Sequence, residues 1–139
     1  MINICIFGAG AIGGYLGCCL SKAGANVSLI ARGAHKEAIE KNGLRLISNE
    51  NSENFNLKVT DNPKELNTQD YIILAIKAHA ISNIVTSLQP LLNNKTTVLS
   101  AVNGLPWWYF YKANSQTKLE NSYLESVDPN GLIWNTIDP

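Results

Sequence analysis

Net charge and long apolar runs are both missing from this sequence, and each absence excludes a class of protein. Eleven Lys and Arg residues balance eleven Asp and Glu residues, so no electrostatic attraction to nucleic acid or to an anionic membrane is expected. The apolar stretch from Ile4 to Leu20 contains five glycines, and the first lysine comes only at Lys22. It is too short to span a membrane comfortably and lacks the basic start of a signal peptide.

Cysteine and histidine are scarce as well. The three cysteines are Cys5, Cys18 and Cys19, and the adjacent pair must point to different sides of a helix. We therefore expect no disulfide framework and no metal site, and reduced, buried thiols favour a cytoplasmic protein. Of the two histidines, His35 and His79, the second lies near a predicted strand end but has no evident carboxylate partner, so no catalytic role is expected for it.

An apolar segment followed at once by a glycine-rich turn is the strongest positive feature. Ile2 to Phe7 has the composition of a strand, and the turn Gly8-Ala9-Gly10-Ala11-Ile12-Gly13-Gly14 follows it. A helical pattern then begins, with one apolar face formed by Ile12, Leu16, Cys19 and Leu20. A glycine pattern between a strand and a helix predicts a dinucleotide-binding turn.

Each glycine of the pattern has an expected task. Gly8 would permit the tight turn, Gly10 would let the backbone approach a pyrophosphate, and Gly13 would let the helix pack closely on the sheet. The helix N-terminus would offer free N–H groups and a positive dipole end to the phosphates.

Further strands and helices alternate along the chain. Strands are predicted at Asn26–Ala31, Leu44–Ile47, Phe55–Thr60, Tyr71–Ile76, Thr97–Val102 and Leu132–Trp134, and helices at Ala34–Lys41 and Ile81–Leu92. The polar tract Asn49–Asn54 is predicted to be the loop of a hairpin-like excursion. This order predicts an α/β protein with an open, mostly parallel sheet, buried strands and helices on both faces.

Polar residues stand at the ends of three predicted strands, where open α/β sheets bind ligands: Arg32, Lys77 and Asn103. Arg32 lies where sites for NAD usually carry an acid, and a guanidinium there would instead hold the 2′-phosphate of NADP. Lys77 could reach a phosphate or ribose, or simply extend into solvent from a strand end. Asn103 could bind ribose or a substrate oxygen, or only form a turn with Gly104.

Four segments, in this order and spacing, resemble the ketopantoate reductases (2-dehydropantoate 2-reductases): Ile4–Gly14, Ala31–Gly33, Ala75–Lys77 and Asn103–Trp108. The resemblance implies a Rossmann-like nucleotide-binding domain and NADPH-dependent reduction of the 2-keto acid 2-dehydropantoate to pantoate, on the way to pantothenate and coenzyme A. It also implies site residues. Gly8, Ala9, Gly10, Ala11, Ile12 and Gly13 would bind the pyrophosphate, Arg32 the 2′-phosphate, Lys77 the cofactor, and Asn103 both cofactor and substrate.

Members of that family carry a second, all-helical domain that supplies the general-acid lysine and most substrate contacts. Nothing in residues 1–139 corresponds to it, so we expect one incomplete NADP-binding domain, truncated before the helical domain and without a catalytic residue of its own. Weak cofactor binding and negligible reductase activity are expected of this chain alone. The aromatic run Trp107–Tyr111 is expected to serve packing or a covered interface, and exposure of Trp107 and Trp108 would favour a homo-oligomer.

Two alternatives remain open. A stand-alone dinucleotide-sensing module would need no catalytic acid, and none is evident in the sequence. A reductase of another 2-keto acid could use the same nucleotide-binding domain.

Overall fold

The structure, a computed structural model, describes residues 1–48, 51–114 and 118–139. The chain divides into two compact units. The first comprises Met1–Ile76 and Pro90–Ala101, and the second comprises Lys77–Gln89 and Val102–Pro139.

A parallel sheet forms the centre of the first unit. The strands of this unit are β1 (Asn3–Phe7), β2 (Asn26–Ile30), β3 (Leu44–Ser48), β4 (Asn51–Phe55), β5 (Lys58–Thr60), β6 (Tyr71–Leu74) and β7 (Thr97–Ser100). Five of them pair in the order β5-β2-β1-β6-β7, and every pairing in this sheet is parallel. The strand order reverses beside β1, because β2 lies on one side of it and β6 on the other. The predicted Rossmann-like fold class is confirmed.

Apolar strands explain why the sheet forms. Ile6 of β1, Leu29 of β2, and Ile72 and Leu74 of β6 are fully buried. Strands this apolar are stable only where both faces of a parallel sheet are covered. The central strands therefore supply the core around which the first unit folds.

Among its described residues, this unit contains the α-helices α1 (Ala11–Lys22) and α2 (Gly33–Asn42) and the 3-10 helix Pro63–Glu65. Helix α1 ends at Lys22, and Gly24 beyond it has a φ of +94° and an N–H that donates to the Ser21 carbonyl at 2.9 Å. Helix α2 is longer than predicted by one residue at each end and is followed by Gly43 at φ +72°.

The predicted apolar face of α1 is wrong for Ile12, whereas Leu16 and Leu20 are partly buried and pack against the core. Ile12 is 59% exposed, and the buried residues of the helix are Gly13, Gly14, Gly17 and Cys18. A Cβ at Gly17 would lie 3.1 Å from Cδ2 of Leu29, so the helix rests its glycine face almost directly on the sheet. The glycines therefore provide the most buried part of the helix, in addition to the partly buried side chains of Leu16 and Leu20.

Strands β3 and β4 form a separate antiparallel hairpin, with Leu44 opposite Phe55 and Ser48 opposite Asn51. The predicted loop is therefore wrong for residues 51–54, which are strand; residues 49 and 50 lie outside the described residues. The predicted strand Phe55–Thr60 is also split, because Phe55 ends β4 while Lys58–Thr60 pairs with β2. Alternation along this segment could not show that the chain changes partner between the hairpin and the sheet.

Strand β7 was expected to be buried, and it is not. Thr97 is exposed and Leu99 is 47% exposed. The strand pairs with β6 along one edge only in the described sheet, so its apolar composition does not bring full burial.

The second unit consists mainly of turns. The predicted helix Ile81–Leu92 is wrong for most of its length, because only α3 (Ile81–Ile84) is α-helical and the flanking segments Ala78–Ala80 and Val85–Leu91 are 3-10 helices. Pro90 within this stretch lacks the N–H that an α-helix would need. The predicted spacing still marks buried positions, since Ile81, Val85 and Leu88 are at most 3% exposed.

The predicted strand Leu132–Trp134 is also wrong. Asp128 is completely buried, and its two carboxylate oxygens accept the backbone N–H groups of Ile133 and Trp134, each at 2.8 Å. A strand would offer those N–H groups to a neighbouring strand. A buried carboxylate holds this segment as a turn instead.

The expected exposure of the tryptophan pair is wrong for Trp107, which is 3% exposed, while Trp108 is half-buried. Their rings meet edge to face with centroids 4.3 Å apart. Packing explains this pair, which is one of the two roles expected for the aromatic run. In the described part of the chain, no helix has the length and apolar character needed to cross a membrane.

Candidate functional site

The turn after β1 is built from backbone packed tightly on backbone. Gly8 has a φ of +100°, and a Cβ there would lie 2.5 Å from the Ala75 carbonyl oxygen. The Gly8 N–H donates to the Ile30 carbonyl at 3.1 Å, and the Ala75 N–H donates to the Phe7 carbonyl at 2.8 Å. Only glycine fits this position, and the turn is fixed between the ends of β2 and β6.

Gly10 presents the opposite situation, an open backbone. It is the N-cap of α1, and a Cβ there would meet nothing within 4 Å. No side chain caps the helix, and its first turn has no acidic residue. The first N–H groups of a helix have no acceptor within the helix itself, so this end offers donors and a positive dipole to an anion.

Gly13 connects these two features. A Cβ at Gly13 would collide with the Gly8 carbonyl oxygen and would lie 3.1 Å from Cβ of Ala75. The helix can therefore start directly over the turn, which places its N-terminus at the carboxyl end of β1. The structural tasks predicted for the three glycines match this geometry, whereas their contact with a cofactor stays a prediction.

Arg32 lies at the same edge of the first unit's sheet. It is the N-cap residue of α2 and follows Ala31, whose N–H donates to the Thr60 carbonyl at 3.0 Å. Its side chain is exposed and forms no ion pair or hydrogen bond with any residue in the described ranges. Because β1 and β2 are parallel, this unpaired guanidinium and the glycine turn share the carboxyl edge of the sheet.

His35 is a residue of this site that the sequence analysis missed. It lies in the first turn of α2, and its Nε2 is 2.7 Å from the carbonyl oxygen of Ala9. A carbonyl only accepts hydrogen bonds, so Nε2 carries the proton and donates. The contact joins residues 26 apart in sequence, and only the packing of α2 against the turn reveals it.

A cavity of about 300 Å³ opens beside the turn within the first unit. Its walls are the turn itself at Ala9 to Ala11, α1 at Tyr15, α2 at His35, and β3 at Arg45. Two nitrogen-bearing side chains and the bare helix N-terminus therefore face one small volume. Cys18, Leu44 and Leu46 also belong to the lining, which is largely apolar.

Thiol chemistry has no support in this region. Burial raises the pKa of the Cys5 thiol to about 12, and burial is also the main cause that raises the pKa of Cys18, which borders the cavity. A thiol with a raised pKa stays protonated near neutral pH and is a poor nucleophile. No group of three or more His, Cys, Asp or Glu residues in the described ranges could hold a metal ion.

Lys77 and Asn103 belong to the second unit. Lys77 follows β6 after Ala75 and Ile76, is exposed, and stands before the 3-10 helix Ala78–Ala80. Asn103 follows β7 after two further residues and is exposed. Their convergence on the glycine turn stays a prediction.

Comparisons with known proteins place the chain in a family. The sequence model of the ketopantoate reductases (PanE/ApbA) matches residues 4–106. A 2-dehydropantoate 2-reductase from Mesorhizobium japonicum is 45% identical over 139 residues, which are 99% of this chain and 42% of that protein. The crystal structure of a candidate ketopantoate reductase from Ralstonia solanacearum MolK2 has a TM-score of 0.89 and 38% identity, covering 99% of this chain and 42% of that one.

A ternary structure of D-mandelate dehydrogenase with NADH and anilino(oxo)acetate is also similar, with a TM-score of 0.70 and 31% identity over 76% of this chain and 34% of that one. This chain thus spans less than half the length of the relatives it matches. The family match covers the glycine turn, Arg32, Lys77 and Asn103 alike. The chain therefore belongs to the ketopantoate reductase (PanE/ApbA) family.

Proposed function

We propose that this chain is the NADPH-binding part of a reductase that converts 2-dehydropantoate to pantoate, a step toward pantothenate and coenzyme A. The observation that carries the proposal is the bare glycine turn with the unpaired guanidinium of Arg32 at the same sheet edge. The family consists of NAD(P)H-dependent oxidoreductases, and two similar structures of D-mandelate dehydrogenase were solved with NADH. The choice of NADPH therefore rests on Arg32.

The pyrophosphate is proposed to lie against the turn from Gly8 to Gly13. Gly10 leaves space for a close approach, and the uncapped N-terminus of α1 supplies N–H donors and a favourable dipole. Ala9, Ala11 and Ile12 would contribute main-chain contacts. The exposed Ile12 side chain is compatible with this role, since it is not needed for the core.

The 2′-phosphate is proposed to bind Arg32. A guanidinium forms paired, charge-assisted hydrogen bonds with a phosphate, and Arg32 has no competing carboxylate among the described residues. An acid at this position would instead hold the 2′-hydroxyl of NADH. Ala31 and Arg32 supply no such acid.

The bound cofactor supplies the hydride, and this chain's residues bind and orient the reactants. We propose that Lys77 contacts the cofactor and that Asn103 contacts both the cofactor and the keto acid, which positions the carbonyl for transfer. The general-acid lysine is proposed to come from the part of the relatives' length that this chain does not span. Residues 1–139 are then a nucleotide-binding domain with negligible turnover alone, acting in the cytoplasm.

A reductase of another 2-keto acid is the second candidate. The similarity to D-mandelate dehydrogenase, whose name specifies a 2-hydroxy acid, favours it. Both candidates make the same demands on the glycine turn and differ only in the substrate. Turnover of 2-dehydropantoate against phenylglyoxylate by a full-length enzyme carrying this sequence would separate them.

The cofactor assignment can be tested by titrating the chain with NADPH and with NADH while following nicotinamide fluorescence. We expect tighter binding of NADPH, and Arg32→Ala should weaken it about 10- to 100-fold because charged hydrogen bonds are lost. NADH binding should change little. Lys41→Ala, which removes an exposed cation at the other end of α2, is the control. Equal affinity of the unmodified chain for both cofactors would contradict the assignment.

A further inference from the structure

We infer that His35 is a positioning residue for the dinucleotide, acting through the peptide bond between Ala9 and Gly10. This inference rests on the proposed function. Its basis is the 2.7 Å contact between His35 Nε2 and the Ala9 carbonyl oxygen, made from the first turn of α2.

The contact determines where an N–H group points. A peptide unit is planar and trans, so its C=O and N–H point in opposite directions. With the Ala9 carbonyl held toward His35, the Gly10 N–H is held away from α2. That N–H has no acceptor among the described residues, so it is available to a ligand oxygen.

Gly10 needs such a restraint because it is the freest residue of the turn. Glycine has wide access to backbone conformations, and nothing lies within 4 Å of where its Cβ would be. On its C-terminal side, the Gly10 carbonyl accepts the Gly14 N–H at 2.7 Å, which fixes the following peptide in the helix. On its N-terminal side, His35 makes the corresponding contact.

Both peptides around Gly10 are therefore fixed before any ligand arrives. A donor that is already oriented does not have to be ordered on binding, so the restraint contributes to affinity. It acts on the pyrophosphate, which NADPH and NADH share. Arg32, in contrast, is proposed to act on the 2′-phosphate, which only NADPH has.

The test compares three ligands on the same variants by calorimetric titration: NADPH, NADH and adenosine 2′-phosphate, which has no diphosphate. His35→Ala should weaken NADPH and NADH by a similar factor, about 3- to 10-fold for one lost hydrogen bond, and leave adenosine 2′-phosphate unchanged. His35→Gln, whose amide can donate to Ala9, should recover most of the affinity. His79→Ala, the other exposed histidine, should match the unmodified chain.

A measurement on the chain without ligand distinguishes a positioning role of His35 from a general structural role. Nitrogen-15 spectra of the free chain should show the His35 ring protonated at Nε2, and His35→Ala should shift the Gly10 amide resonance more than that of Gly24. Unchanged cofactor affinity in His35→Ala would overturn the inference, as would an equal loss of adenosine 2′-phosphate. An unmodified chain that binds neither NADPH nor NADH would overturn the proposed function, and the inference with it.

Discussion

Different kinds of interaction stabilise each of the two compact units of this chain. In the first unit, five parallel strands and two helices repeat a regular hydrogen-bonding pattern around fully buried strands. In the second, α3 has four residues, and single contacts such as those of Asp128 hold the turns. The positive-φ residues other than glycine in the described chain, Lys112, Asn114, Asn121 and Asn130, all belong to the second unit.

This difference teaches how each unit depends on individual residues. Several largely apolar strands build the sheet, so single exposed positions matter little to the stability of the first unit. The exceptions are Gly8 and Gly13 of the glycine turn, where backbone meets backbone and a methyl group has no room. The second unit has few repeated contacts, so one buried polar group carries more of its structure.

The largest effect is expected where a methyl group is added to the turn. Gly8 and Gly104 have similar φ angles, +100° and +107°, but a Cβ at Gly8 meets the Ala75 backbone while one at Gly104 meets open space. Gly104→Ala should cost only its strained conformation, about 1–3 kcal/mol. Gly8→Ala should cost about 1–3 kcal/mol more, because the backbone must also move.

Urea denaturation of both variants measures this difference in the free energy of unfolding. The Gly8 variant should also lose NADPH binding, while the Gly104 variant keeps its turn after β1 intact. Equal destabilisation by the two substitutions would show that the close approach of Ala75 is not what requires glycine at position 8.

A smaller effect is expected from the buried carboxylate of the second unit. Asp128→Ala removes the acceptor of two buried or half-buried N–H groups, on Ile133 and Trp134, and should destabilise the chain by about 1–3 kcal/mol. Hydrogen exchange at these two amides should accelerate, while exchange in β1 changes much less. Asp128→Asn keeps one oxygen acceptor, so its stability should lie between those of the unmodified chain and Asp128→Ala. Acceleration spread evenly over both units would argue that they do not unfold separately.

The smallest effect is expected at the exposed face of the edge strand. Leu99→Lys places a charge where the side chain is already 47% exposed, and it should change the free energy of unfolding by less than about 0.5 kcal/mol. Leu74→Ala in the neighbouring strand, where the side chain is fully buried, should cost about 2–5 kcal/mol and is the matched control. Thermal denaturation followed by circular dichroism measures both.

The Leu99→Lys variant also tests whether the chain self-associates. A homo-oligomer formed through exposed apolar surface stays a prediction from the sequence. Trp107 is buried, so Leu99 and Tyr109, which is 52% exposed, are now better placed to contribute. Sedimentation equilibrium should show weaker association for Leu99→Lys, and a monomer at high concentration of the unmodified chain would contradict the prediction.

The elements of the first unit could be predicted because local patterns and tertiary structure agree there. Ile2–Phe7 and Tyr71–Ile76 are apolar enough to be sheet centres, and Gly8 marks the turn correctly. Prediction failed where one pattern fits two partners. The alternation from Phe55 to Thr60 is the same for a hairpin strand and for a sheet strand.

The candidate site shows the same division. The glycine turn and Arg32 could be predicted from residue type and spacing. Glycine is the residue expected where φ is positive, and a cation after an apolar strand is visible in the sequence. The contact of His35 could not be predicted from the sequence, since its partner is a backbone carbonyl that any residue could supply.

By itself, the sequence determined that a strand, a bare glycine turn and a helix follow one another, because glycine alone tolerates the dihedral angle and the close approach required at position 8. It determined as well that Arg32 follows the second strand without an acid beside it. Only the tertiary structure decided which face of α1 is buried, where the Asp128 carboxylate finds its donors, and that His35 holds the Ala9 carbonyl. Those contacts join groups that come close together only when the helices, strands and turns pack, so local sequence patterns do not predict them.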